Sequence, residues 1–344
     1  MQTSNVASQE TLPFRMWWGL AFCAAAMGLI FAFAPCSADI QFAPDKPMDF
    51  WYYWQLQDPT AITRLSAWVP YFIHQISIWS LIYYAKEQRP KYVFGLHKFN
   101  LWALGINGFF IVTHILQTKI FYDGLAQDVH ESTSMMSVVI MLFMIMIMEN
   151  KRRGLFFGYG VKPMYSVGDS LKRYHGYYFS WAIIYTFWYH PVELTSGHIA
   201  GFSYMFLLLL QGSLFFTRYH VNRWWTVSLE LLFVIHGAIV AAYLMNPGEH
   251  EFWSMFLFGG VATFLITQMH GLGMTTRQKL AVAAVLIAAT LAFNFAFPGY
   301  LAQAGKQPMI MYTGTGICFL IILALRFGWR QISKLFSIER RQAA

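Results

Sequence analysis

The sequence predicts an all-α, polytopic integral membrane helix bundle of about ten transmembrane helices, and three observations lead there. Hydrophobic residues form 57% of the chain and charged residues 12%, whereas a soluble domain carries roughly twice that charge. Apolar runs long enough to cross a hydrocarbon core of about 30 Å recur along the whole length. All but four of the 24 Lys and Arg sit in alternate connections between those runs.

Read in order, the spans fall near 17–35, 67–85, 99–118, 133–148, 177–194, 199–217, 225–245, 252–270, 279–297 and 309–327. The opening MQTSNVASQETLPFR lacks the basic n-region and small-residue cleavage site of a signal peptide, so the first run is expected to remain as a span. The basic connections are those near 86–98, 149–176, 218–224 and 271–279, together with both tails. Lys46, Arg64, Lys119 and Lys306 are the exceptions. Positive-inside bias then places both termini in the cytoplasm, with a bacterial inner membrane as the expected location. Acidic residues do the reverse: Asp39, Asp45, Asp49, Asp58, Asp123, Asp128, Glu131, Glu193, Glu249 and Glu251 all fall outside. The net charge of +8 is therefore an orientation signal and implies no nucleic-acid partner. A single membrane domain over 1–344 is expected, with cytoplasmic tails at 1–16 and 328–344. An outer loop at 36–66 is rich in aromatic residues and suits an interfacial cap. Cys23, Cys36 and Cys318 have neither metal nor disulfide spacing.

Three segments share a pattern within 99–270: FIVTHILQTKIFYDGLAQDVHESTSM, FWYHPVELTSGHIAGFSYM and FVIHGAIVAAYLMNPGEHEFWSM. Each has a His near the outer end of an outgoing helix, an acidic loop, and a second His opening the returning helix. They read as three parallel helical hairpins, an arrangement in which one site can receive a side chain from each unit.

The eleven His residues sort by depth. At 1.5 Å per residue, His74, His114, His190 and His236 fall in the outer half of their spans, with His130, His198 and His250 at the outer surface. His97, His175, His220 and His270 lie at the opposite ends and read as capping or interfacial residues. Polar side chains at membrane depth face the bundle interior because lipid leaves them unpaired. Four at a similar depth therefore predict a shared polar site. Glu230, in WWTVSLELLFVIH, is the acidic residue placed within a span and is expected to be a buried charge with a partner.

Imidazole suits iron, copper and zinc. The predicted metal ligands are His74, His114, His190 and His236, with His198 and His250 as outer ligands. Glu193 is the proton carrier, and Glu193 and Glu230 are the catalytic candidates. The expected cofactor is iron, as haem b or non-haem, or copper. Two stacked haems fit less well than one outer metal: His97 and His114, 17 residues apart on one helix, differ by about 100° in azimuth. The chain lacks desaturase-type His boxes, GxSxG, HExxH and CxxCH. The six Met of STSMMSVVIMLFMIMIM are ordinary apolar span residues. These features predict a membrane oxidoreductase acting on a lipid-soluble small molecule within the bilayer. A proton-coupled transporter using the same His and Glu residues is the alternative, and a non-catalytic assembly subunit the second. Oligomeric state is left open.

Overall fold

In a computed structural model, residues 11–34, 40–44, 54–88, 90–244 and 252–342 are described, with side chains to 242 and 333 in the last two segments. Cys36, Asp39, Asp45, Lys46, Asp49, Glu249, His250 and Glu251 lie outside the described residues. The structure is helical, with no strand among the described residues and four isolated bridges. Ten helices follow in order: α1 (Met16–Phe33), α2 (Ala61–Glu87), α3 (Lys98–Phe121), α4 (Glu131–Arg153), α5 (Tyr165–Tyr189), α6 (Ser196–Ser213), α7 (Arg223–Leu244), α8 (Phe252–Ile266), α9 (Thr276–Ala296) and α10 (Lys306–Gln342).

Among the described residues seven helical stretches are long and apolar enough to cross a membrane, in α1, α3, α4, α7, α8, α9 and α10. That marks a multi-pass membrane protein. The three helices below this measure, α2, α5 and α6, carry His74, Trp188 and His198. His74 and His198 are buried, and α2 and α5 also carry exposed charged residues such as Arg64 and Asp169.

Several boundaries differ from those predicted. α2 begins inside the expected outer loop because Thr60 and Thr63 cap each other's backbone N–H groups at 3.2 and 3.0 Å. α10 continues through most of the expected tail, since RQISKLFSIERRQ contains no Pro or Gly to stop it. α5 starts at Tyr165, twelve residues before its expected span, within the basic loop.

The chain divides into two compact units: Met1–Val138 with Gly176–Trp253, and Val139–His175 with Ser254–Ala344. In the first, α3 packs against α1, α2 and α6, and α6 packs in turn against α7. Asn100, Asn107 and His114 recur every seven residues along α3, so they form one buried stripe. Asn100 Nδ2 donates to the Ser213 and Phe215 carbonyls at 2.8 and 2.9 Å. Asn107 Nδ2 donates to Ser213 Oγ at 2.8 Å and to the Leu209 carbonyl at 3.3 Å. These bonds join α3 to the end of α6, where lipid could supply no partner.

Small residues set the other close contact. Gly197 and Gly201 form a GxxxG pair on α6, which lets α7 approach closely. A Cβ on Gly201 would sit 3.2 Å from His236 Nε2, and one on Gly197 would sit 4.0 Å from Val240 Cγ2.

In the second unit, Tyr312 on α10 and Thr267 after α8 have their hydroxyls 2.6 Å apart. Both reach the Leu155 carbonyl, at 2.9 and 3.0 Å. Phe156 stacks on Tyr312 with centroids 4.6 Å apart. The basic segment after α4 is thereby fastened by two hydroxyls and a ring.

Asn107→Ala removes the acceptor of one buried imidazole and the donor to Ser213 together. It is expected to lower stability by about 1–3 kcal/mol, the cost of leaving such groups unpaired. Thermal unfolding of the detergent-purified variant measures it, and an unchanged midpoint would contradict the assigned role of the stripe.

Candidate functional site

Of the predicted His residues, His74, His114, His190, His198 and His236 belong to the first unit, and His250 lies outside the described residues. His74, on α2, is fully buried and stacks on Phe110 at 4.4 Å between centroids. Trp188 Nε1–H donates to its Nδ1 at 3.2 Å. Indole nitrogen is only a donor, so Nδ1 is the acceptor and Nε2–H donates to Asn107 Oδ1 at 2.7 Å. Both ring nitrogens of His74 are thus engaged. A metal bound there would have to displace one of those bonds.

His114, two turns along the same stripe, has another arrangement. Nδ1 faces Gln117 Oε1 at 3.0 Å and Nε2 faces the His190 carbonyl at 2.9 Å. Gln117 cannot be turned around without loss, because its Nε2 donates to the Asp123 carbonyl and to Ser66 Oγ, both at 3.0 Å. His114 therefore has an acceptor at each nitrogen. A neutral imidazole carries one N–H and can donate to only one of them at a time.

The end of α5 brings in His190. Pro191 has no N–H and follows directly, so the helix closes at Tyr189. The segment is then tied to α3: Val192 N–H donates to Thr118 Oγ1 at 3.0 Å, and Lys119 Nζ donates to the Val192 carbonyl at 3.3 Å. Gly124 is required beneath it, because a Cβ there would lie 2.6 Å from the Tyr189 carbonyl oxygen.

Thr195 then caps α6, accepting the His198 N–H at 3.2 Å, and its hydroxyl contacts His198 Nδ1 at 2.8 Å. This cap aims the other face of the ring inward. His198 is 7% exposed, and its Nε2 is buried without a hydrogen-bond partner among the described residues. The His190 and His198 rings meet edge to face, with centroids 5.6 Å apart and planes at 88°. Trp54, from the segment before α2, stands edge-on to His198 at 4.5 Å. His236 lies within electrostatic reach of both His190 and His198, held beside Gly201 by the close α6–α7 approach.

The two acidic candidates behave differently. The Glu193 carboxylate accepts from the Leu194 N–H at 3.3 Å and is only half-buried. Glu230 is buried and lies within electrostatic reach of Tyr204, whose ring is 6.2 Å from that of His236. Tyr204 was not singled out from the sequence. Neither were Trp188, Asn107, Gln117 or Trp54, although the seven-residue polar repeat in α3 and the GHIAG motif in α6 are visible there.

The remaining His residues fasten local structure. His97 caps α3 and its Nε2 donates to the Lys91 carbonyl at 3.0 Å. His220 contacts the Gln211 carbonyl through Nδ1 at 2.9 Å, His270 the Leu265 carbonyl through Nε2 at 3.0 Å, and His175 the Lys172 carbonyl through Nδ1 at 2.9 Å.

Asp123 lies in the loop after α3, where its backbone carbonyl accepts from Gln117 Nε2. Tyr122 turns the chain there in a left-handed conformation, φ 45°, and Asp123 Oδ1 accepts the Gly124 N–H at 2.8 Å. Burial pushes this carboxyl up to about 6, opposed by the Gly124 N–H and Thr63, while Asp128 repels its charge and Arg64 attracts it.

The class defined by this fold and cluster is a multi-pass helical membrane protein with an interior group of imidazoles. No family model, curated protein or solved structure matches the chain.

The Asp123 carboxyl holds its proton to higher pH when folded than when unfolded. Its contribution to stability is therefore greatest at low pH, falls as pH rises from about 4 to about 6, and is flat above that. Asp123→Asn, measured by thermal melts over that range, is expected to be more stable than the parent above about pH 6, with the gap closing toward pH 4. Parallel curves at every pH would exclude the buried carboxyl as the cause.

Proposed function

We propose that the protein is a membrane oxidoreductase of about ten spans with both termini cytoplasmic, in a bacterial inner membrane. A non-haem iron or copper ion would be held by His190, His198 and His236 near the outer face, and the substrate would be a lipid-soluble small molecule. The observation that supports it most is the buried, unpartnered Nε2 of His198 in ring contact with His190. An orphaned buried nitrogen costs about 1–3 kcal/mol, and coordination would remove that cost. Among the described residues no three His, Cys, Asp or Glu already stand at metal-ligand spacing. The reading therefore rests on two touching imidazoles and a third on the adjoining helix. The edge-to-face contact leaves no flat slot between His190 and His198 for a macrocycle, which favours a bare ion over haem.

The metal would supply one-electron chemistry. The chain's own residues have separable tasks. Trp54 and Phe202 flank His198 with apolar rings at 4.5 and 6.3 Å and restrict water. Glu193, at the rim, would carry protons, and Glu230 would act on His236 through Tyr204. His74 and His114 hold the helices that present the site.

Iron or copper near one per chain is expected in the purified protein by elemental analysis, with an optical or paramagnetic signature. His190→Ala and His198→Ala should each lower metal content at least tenfold, whereas His270→Ala should not. A wild-type protein that takes up neither metal, or alanine variants that retain it, would overturn the assignment. A proton-coupled transporter is the second reading, favoured by the two acceptors facing His114. Proton uptake into vesicles that is lost in His114→Gln, with no bound metal, would select it.

A further inference from the structure

The second unit carries a groove made by other residues. Ser166, at the start of α5, faces Leu320, Leu323, Arg326, Phe327 and Arg330 of α10 across it. Leu320, Leu323 and Phe327 follow at intervals of three and four, so they lie along one side of the helix. Leu320 is 61% exposed and Phe327 63%, and both belong to the apolar stretch long enough to span a membrane. That side therefore faces acyl chains.

Arg326 and Arg330 are one turn apart and bracket Phe327 in sequence. Arg326 Nη1 comes to 3.5 Å from Ser166 Oγ. Arg64–Asp128, Lys151–Asp169 and Arg152–Glu149 are ion pairs among the described residues, and they use neither guanidinium. Asp169, one turn beyond Ser166, is engaged by Lys151 at 3.6 Å. The groove thus combines apolar side chains with two guanidiniums and a hydroxyl.

We propose that this groove binds one anionic phospholipid from the bilayer. Its phosphodiester would accept from Arg326, Arg330 and the Ser166 hydroxyl, with an acyl chain lying along Leu320, Leu323 and Phe327. Guanidinium forks match phosphate oxygens in pairs, and basic pockets between membrane helices suit anionic headgroups. Two cationic groups with no paired carboxylate among the described residues favour a net negative lipid over a zwitterionic one.

The test uses the full chain, delipidated in neutral detergent. Phosphatidylglycerol and phosphatidylcholine of the same acyl length are titrated, with binding read by native mass spectrometry and thermal shift. Phosphatidylglycerol is expected to bind at least tenfold more tightly. That preference should be lost in Arg326→Ala/Arg330→Ala and partly kept in Arg326→Lys/Arg330→Lys, which also serves if the alanine pair does not fold. Arg277→Ala/Lys279→Ala removes equal charge elsewhere in the same unit and should leave the preference intact. Equal binding of the two lipids, equal loss in the charge-matched control, or a shift reproduced by inorganic phosphate alone would each overturn the proposal.

Discussion

Polar groups placed inside an apolar solvent must find partners within the protein, and the hydrogen-bonded stripe on α3 is where this chain meets that demand. Asn100, Asn107 and His114 lie on one buried face. Through them α3 binds α6 by way of Leu209 and Ser213, α2 by way of His74, and the end of α5 by way of the His190 carbonyl. Such contacts matter for selecting one arrangement, because lipid tails are as apolar as the side chains and supply no hydrophobic drive between helices.

The same constraint separates two kinds of imidazole. His74 has a donor at one nitrogen and an acceptor at the other, so a neutral ring satisfies both neighbours and the group is structural. His198 is held at Nδ1 by the helix cap while its Nε2 has no partner among the described residues. A buried ring atom in that condition is what the proposed ion would engage. The difference arises from two local devices, the Thr195 cap and the closure of α5 before Pro191, which bring His198 and His190 ring to ring. The GxxxG approach of α7 adds His236.

The chemistry proposed for this cluster and the lipid groove of the second unit use different physics. At the His cluster, low dielectric and exclusion of water make a coordinated ion or a moving proton effective. Along α10, an exposed apolar face ending in two guanidiniums is adapted to the membrane's own components. One site would act on what dissolves in the bilayer, and the other would hold the bilayer to the protein.

The amino-acid sequence by itself determined the class and much of the layout. Length and apolarity of the runs placed a helix at each expected position, since a backbone in lipid must satisfy its own hydrogen bonds. The burial of His74 and His114 was also legible, because charge-poor helices rarely carry polar residues without an interior use. Helix ends were less legible: the reciprocal Thr60–Thr63 cap and the uninterrupted tail of α10 extended helices past the apolar windows that defined the spans. Which nitrogen of each His is engaged was decided only by the tertiary structure. For His74 and His114 it depends on Trp188, Asn107 and the His190 carbonyl, groups distant in sequence that meet the rings in space. Local pattern reports that a polar group will be buried, but its partner is set by which helices pack together and in what register.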